Sequence, residues 1–595
     1  MKRALALLLF LLALPPLQGQ QDFLAKQYYA DGEFDKAVVF YEKLVSANPR
    51  RMEYLEQLVS CYHQLEQYDK AISMLRERIE NGTAHPTTYI DLGYTHFLKG
   101  DPQEAERWYE SGMELIEANP GYGYMLGFKF QRYTLLDYAL RAYRRAMELN
   151  PELDYNTQVA RIYGEQGNIG AMFGAYLDLM AEREAIKPNV LRILEDFVST
   201  DPGAENNVLL KQALLGRAQE NPDPLWNEVL SWLFVRQQQF GSALVQEKAL
   251  YRRLEGAGLD RLSTLGRIAE GAGDYTAARA AFDFVVKESS DPVARLNAQL
   301  HLLDITLEER PDPNLKQVQK SYEDLMEAYG YNPGTLQLQI SYANFLTFRL
   351  GEPLEAIAIL KKSLELPISN YTEGYLKTTL GDVLVYTRSF NEALILYSQV
   401  QKLLKNDVMG QQARFKVAQT SFYKGDFEWA QTQLKVLRNS TSQLIANDAM
   451  QLSLVISDNS LEDSTQAALR KYARADLLAY QQNRREALAL LDELLLQHKG
   501  ERIEDEALLM QGRLLEAEGD YAGARFSYLK IIEFYGQDIL ADDAHFALGE
   551  LYRTRLGEPE KAMEQYQEIL FRYQDSYYFP EARKQFRTLR GDPVQ

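Results

Sequence analysis

Small and aromatic positions recur along the chain with a fixed period, and polar turns separate them. Ala37, Ala71, Ala105 and Ala139 stand at three successive intervals of 34 residues. Four residues after them come Tyr41, Leu75, Tyr109 and Tyr143; twelve before them come Ala25, Val59, Gly93 and Gly127. Tyr28, Tyr62, His96 and Phe130 follow that earlier set by three, and Pro49 and Pro151 close the first and fourth units at one offset. Spacings of three and four belong to helices, so each unit predicts a pair of antiparallel helices. Where the two cross closely, a small residue of the first (Gly93) has to face a small residue of the second (Ala105), since larger side chains force the crossing apart. The Tyr or Phe one turn on fills the wedge, its hydroxyl reaching the wetter edge. Gly32 and Gly100 suit the turn between the helices, and proline ends the second helix where its missing N–H matters least.

The pattern returns at Ala278 with Phe282, Ala393 with Tyr397, Ala430 with Phe427, Ala524 with Tyr528 and, after one extra turn residue, Ala562 with Tyr566. Weaker copies centre on Ala243, Ala356 and Ala487, which makes twelve units. The 104 residues from Ala139 to Ala243 and the 78 from Ala278 to Ala356 leave room for three more. This pattern resembles the tetratricopeptide repeat, a helical hairpin of about 34 residues. The resemblance implies an all-α fold, an α-solenoid of about fifteen stacked antiparallel hairpins, with a concave wall made mainly by the first helix of each. The expected organisation is a regular array over 20–150, degenerate helical repeats over 151–260, a looser array over 261–437, an inserted helix and loop over 438–470, and a closing array with a capping helix over 471–595. In the degenerate stretch Pro188, Pro202, Pro222 and Pro224 are expected to break helices and bend the stack.

The beginning of the chain follows another pattern. Met1-Lys2-Arg3 is basic, Ala4 to Leu14 is an unbroken apolar run of eleven, and Pro15-Pro16-Leu17-Gln18-Gly19 follows. That run is too short to span a bilayer, which takes about 20 residues, and the order is that of a signal peptide over 1–19. Cleavage there leaves Gln20-Gln21, a start that resembles exported Bacteroidota proteins. No cysteine follows the cleavage region and no later stretch reaches 18 apolar residues, so neither a lipid anchor nor a transmembrane segment is expected. Near the other end, Tyr573-Gln574-Asp575-Ser576-Tyr577-Tyr578 and Glu581-Ala582-Arg583 resemble the close of periplasmic repeat proteins of the outer-membrane-assembly and Tol–Pal-associated types. Gln574 stands where that pattern has proline. The resemblance implies a periplasmic protein, peripheral to the outer membrane, working in envelope assembly, secretion or division.

Composition narrows the chemistry. The formal charge of −19, or −21 without Lys2 and Arg3, argues against nucleic acid and anionic lipid as partners. One cysteine and six histidines in 595 residues exclude a disulfide framework and leave little material for a metal enzyme. No phosphate-binding loop, dinucleotide fingerprint, zinc-protease pair or nucleophile elbow occurs. Gly121-Tyr122-Gly123 is loop chemistry, His85 and His96 lie on different parts of a hairpin, and Cys61 reads as a small buried hydrophobe. Asp542-Asp543 and Glu504-Asp505-Glu506 fall at helix starts, where capping accounts for them. The expectation is a protein that is not an enzyme and uses no cofactor or metal.

The 38 tyrosines carry the functional reading. Most occupy the recurring wedge positions and are scaffold. A smaller set on the first helices falls off the packing pattern: Tyr29, Tyr94, Phe97, Tyr124 and Phe128 early, and Tyr386, Phe415, Phe422 and Tyr423 later. Two readings stand for them, looser packing between repeats or an aromatic trough that takes a protein or peptide segment. The acidic charge favours a basic segment. The function expected is that of a protein-interaction scaffold; a non-catalytic subunit that positions substrate for an enzyme, or a self-assembling structural component, are the rivals.

Overall fold

The computed structural model describes residues 17–254, 259–309, 313–438, 440, 442–460 and 466–592, with side chains from residue 21 onward. The expected signal segment therefore lies almost wholly outside the described residues; Leu17 to Gly19 fall in the first turn of helix Leu17–Ala30. Among the described residues there are 32 helices and no strand. Fifteen successive pairs account for all but two of them, the solitary Gln443–Asp458 and the closing Phe579–Arg590. The chain forms two compact units that divide at residues 257 and 258.

The recurring positions do more than space the helices. A Cβ on Gly93 would lie 2.5 Å from the ring of Tyr109, and one on Gly381 2.5 Å from that of Tyr397. Gly127, Gly266, Gly512 and Gly549 stand in the same relation to Tyr143, Phe282, Tyr528 and Tyr566. The first helix is thus small at this point chiefly to admit the aromatic ring, four residues beyond the alanine, rather than the alanine itself. Tyr41, Tyr143, Tyr397, Tyr528 and Tyr566 are among the largest fully buried side chains of the molecule.

The hydroxyls divide into two kinds. Tyr397 donates to Asp382 (2.6 Å) and Tyr566 to Glu550 (2.5 Å), each acid standing directly after the ring's glycine. Those of Tyr109 and Tyr143 are buried and have no hydrogen-bond partner, so at these two wedges the expected wet edge is absent.

A second regularity lies in the turns. Five residues before the small position the backbone has a positive φ in one hairpin after another, at Gly32, Gly100, Gly273, Gly425 and Gly519. Glu66, Thr134, Gln238, Arg388 and Gln482 hold the same conformation without being glycine. The local chain geometry is therefore fixed by the hairpin and imposed even on residues that resist it.

Where the sequence spacing is thirteen instead of twelve, the extra residue widens the helix. Ala343 to Ala356 and Gly549 to Ala562 are the two such intervals, and their first helices end in the π-turns Leu346–Leu350 and Tyr552–Leu556. The bulge absorbs one residue and returns the chain to register.

Two of the degenerate units keep the tyrosine and lose the alanine. Met172 precedes Tyr176 and Val318 precedes Tyr322 by four, and all four residues are buried. In helix Phe240–Arg253 the wedge after Ala243 is Glu247, which accepts a hydrogen bond from Ser231 Oγ at 2.5 Å. The prolines there divide: Pro202 and Pro222 lie in the breaks between helices, whereas Pro188 and Pro224 begin helices Lys187–Glu195 and Pro224–Arg236, where a missing N–H is harmless. Asp223 caps the second by accepting from the Leu225 N–H. Helix Glu205–Glu220 packs on Ile169–Glu182 and Pro224–Arg236 rather than on its own predecessor.

Candidate functional site

In the first unit the first helices of successive pairs are Leu17–Ala30, Met52–Gln64, Thr87–Lys99, Gly123–Arg132 and Asn156–Glu165. A polar seam ties them together. Tyr29 and Ser60 share a hydrogen bond of 2.6 Å, and His63 Nε2 lies 2.9 Å from Thr95 Oγ1. Thr95 donates to the Asp91 carbonyl (2.6 Å), so His63 supplies the hydrogen of their contact. Burial, helped by the nearby Lys129 charge, pulls the His63 imidazole down to about 4 and keeps it neutral.

The centre of the seam is ionic. Lys129 is buried and reaches Asp91 at 2.8 Å and Glu56 at 2.9 Å; Arg132 also reaches Glu56 at 2.9 Å. Tyr133 donates to the same oxygen of Asp91 at 2.5 Å. Burial raises the Asp91 carboxyl in spite of these partners. Burial acts on Glu56 in the same sense, but Lys129 and Arg132 outweigh it and hold that carboxyl low. A buried charge is tolerable only when its partners are in place, so the network fixes three first helices against one another.

Aromatic residues stand on this base. Tyr94 stacks on Tyr133, with centroids 3.9 Å apart and planes within 7°, and Phe97 lies 6.1 Å further along the same helix face. Tyr124 and Phe128 run parallel within 4° at 6.4 Å. Phe97, Tyr124 and Phe128 are 53%, 48% and 50% exposed, which is unusual for residues of this size. Of the early candidates these three are open to a partner, whereas Tyr29 and Tyr94 are half-buried and occupied by neighbours.

The later candidates have another fate. Phe422 is fully buried, with ring contacts to Phe427 and Tyr472, and is corrected to a core residue. Phe415 and Tyr423 are half-buried against that core, and Tyr386 presents its ring to the edge of Phe348. The cause is the arrival of helix Ala467–Tyr480: Tyr480 donates to the Asp382 carbonyl, Gln481 donates to that of Tyr386, and the Tyr480 ring meets Phe348 and Tyr423. Beside them Asp382 accepts from Tyr397 and from Lys416 at 2.7 Å.

Two buried carboxyls of the second unit are pushed upward. Burial brings Asp476 up to about 7; burial and the neighbouring Asp505 bring Glu506 up to about 9. Sequence reasoning passed over Glu56, Asp91, Lys129 and Asp476, because a charged residue in a helix reads as solvated until its neighbours are known. Cys61 is buried and free, with its thiol raised to about 12 by that burial.

Comparison with known proteins agrees with this architecture. Tetratricopeptide repeat family models match residues 86–111 and 472–539. The general transcriptional corepressor trfA of Dictyostelium discoideum is 25% identical over 130 residues, 22% of this chain and 9% of that protein. BBSome complex member BBS4 of Bos taurus is 30% identical over 95 residues, 16% of this chain and 18% of that one. The TPR repeat-containing protein MJ1428 of Methanocaldococcus jannaschii is 25% identical over 190 residues, 31% of this chain and 33% of its own length. The chain thus spans a third or less of the length of these relatives.

Among solved structures, Naa15/Naa10 bound to HypK-THB aligns over 97% of this chain and 96% of that one at 12% identity and a TM-score of 0.30. A tetratricopeptide repeat protein from Parabacteroides merdae aligns over 49% of this chain and 98% of its own at 13% identity and a TM-score of 0.25. Tetratricopeptide repeats are recognised in this chain, and the fold is an all-α solenoid of paired helices. Such repeats bind proteins or peptides, and proteins built from them are generally non-catalytic scaffolds. No described helix is long and apolar enough to cross a membrane.

Proposed function

We propose that this chain is an exported scaffold, not an enzyme, whose first-helix walls hold segments of partner proteins in the periplasm. The observation that carries the reading is the set Phe97, Tyr124 and Phe128, half-exposed on helices that the Lys129 network holds in place. Rings already ordered lose little entropy when they bind, so they suit apolar anchors of an incoming segment. Basic character in that segment is favoured by the formal charge of −19. Export rests on the pattern of residues 1–19, and a place in envelope assembly, secretion or division on the resemblance of residues 573–583.

The double variant Phe97→Ala/Tyr124→Ala tests the surface. It is expected to lose partners captured from an envelope extract, by tenfold or more in affinity for two anchors worth about 1 kcal/mol each or better, while far-UV circular dichroism stays unchanged. Partners retained at wild-type level would remove this surface from the account. Intact mass of the secreted protein, expected for residues 20–595, tests export. A catalytic protein co-purifying in fixed ratio would favour the enzyme-subunit rival, and concentration-dependent light scattering the self-assembling one.

A further inference from the structure

Two successive first helices of the second unit, Asp260–Gly271 and Pro292–Glu308, bring three metal-ligating side chains together. His301 and Asp304 are three residues apart and so share one helix face. Glu270 comes from the neighbouring helix, and its Oε2 lies 2.8 Å from His301 Nδ1. One nitrogen and two carboxylate oxygens of this trio lie within 4.8 Å of one another. The imidazole is held in place by Phe282, whose ring stacks on it at 4.5 Å with planes within 4°.

Asp304 also lines a cavity of about 270 Å³, together with Glu308, Tyr322, Asn344 and Arg349. Glu308 is matched by Arg349 at 2.8 Å. The Asp304 carboxylate has no hydrogen-bond partner among the described residues, so it is free to turn toward an ion. Asp304 is exposed and Glu270 and His301 are half-buried, so solvent reaches the trio and can supply the waters that a three-ligand site needs.

We propose that Glu270, His301 and Asp304 form a site for a divalent cation of the zinc class, with water completing its shell. An imidazole and two carboxylates suit zinc, whose bonds to such ligands are about 2.0–2.2 Å; an all-oxygen site would have favoured calcium or magnesium. The donors, now within 4.8 Å of one another, have to draw together for such bonds by rotation of the two carboxylates. The ion ties helices of adjacent repeats together, and its role is that of a clip within the second unit.

The test uses the full mature chain, stripped with chelator and titrated with zinc chloride by calorimetry, alongside Asp304→Asn and His301→Gln. The wild type is expected to take up one equivalent and to unfold at a higher temperature with zinc than without. Both variants are expected to bind at least about tenfold more weakly and to lose the thermal shift, with circular dichroism unchanged. Absence of saturable uptake by the wild type overturns the proposal. So does uptake by the two variants equal to that of the wild type, which would assign the ion to scattered surface carboxylates.

Discussion

A glycine inside a helix ordinarily weakens it by up to about 1 kcal/mol relative to alanine. Gly381 reverses that expectation, because a methyl there would meet the Tyr397 ring at 2.5 Å. Tyr397 is 1% exposed and hydrogen-bonded to Asp382, so it has nowhere to retreat. Overpacking of this kind amounts to about 1–3 kcal/mol and outweighs the propensity gain. Gly381→Ala is therefore expected to lower stability in denaturant unfolding. Thr134 presents the opposite case: an exposed β-branched residue held at φ 58°. The left-handed conformation costs a non-glycine residue about 1–2 kcal/mol, and glycine returns about 0.5–1 of this in entropy. Thr134→Gly is thus expected to stabilise the protein by several tenths of a kcal/mol to about 1 kcal/mol, read as a rise in melting temperature. Both sites show how far sequence carries at this scale. Gly381 announces itself by its place in the repeat; Thr134 holds the turn position that Gly32 and Gly100 hold in other units, but its residue type hides the left-handed backbone there.

At the scale of helices, packing decides what a charge means. Lys129 lies on Gly123–Arg132, and read alone it would belong to a solvated face. Its position against Met52–Gln64 and Thr87–Lys99 buries it between Glu56 and Asp91. Lys129→Met leaves Asp91 buried and uncompensated, and is expected to destabilise the protein by about 3–5 kcal/mol. Lys129→Met combined with Asp91→Leu is expected to recover a large part of that loss; urea unfolding of the single and double variants measures both. The π-turns illustrate the converse, an element written in the sequence. One residue too many between Ala343 and Ala356, and again between Gly549 and Ala562, requires a wider turn somewhere before the second helix. Tertiary packing placed it at the helix end, next to Gly351 and Gly557.

At the scale of the whole molecule, pH sorts the buried carboxyls. Asp476 titrates near 4 when unfolded and at about 7 when folded, because burial disfavours its charge. Between those values the folded chain holds the extra proton. The favourable contribution is complete below about pH 4, declines as pH rises, and is gone above about 7. Asp476→Asn removes the penalty, so its advantage in melting temperature over the wild type is expected to grow from pH 5 to pH 8; an advantage independent of pH would contradict this. The sequence by itself determined the helical hairpin, its period and most of the wedge tyrosines, since these follow from local spacing that each unit repeats; the pairs of the degenerate stretches became countable only in the structure. Tertiary structure alone decided which aromatic residues stay open. Helix Ala467–Tyr480 packs on Tyr423 and, with Gln481, reaches back some 95 positions to Tyr386, covering both, while nothing among the described residues covers Phe97 or Phe128 to the same degree. It alone also brought Glu270 to His301. Contacts between repeats depend on how helices stack, and no single repeat carries that information in its own residues.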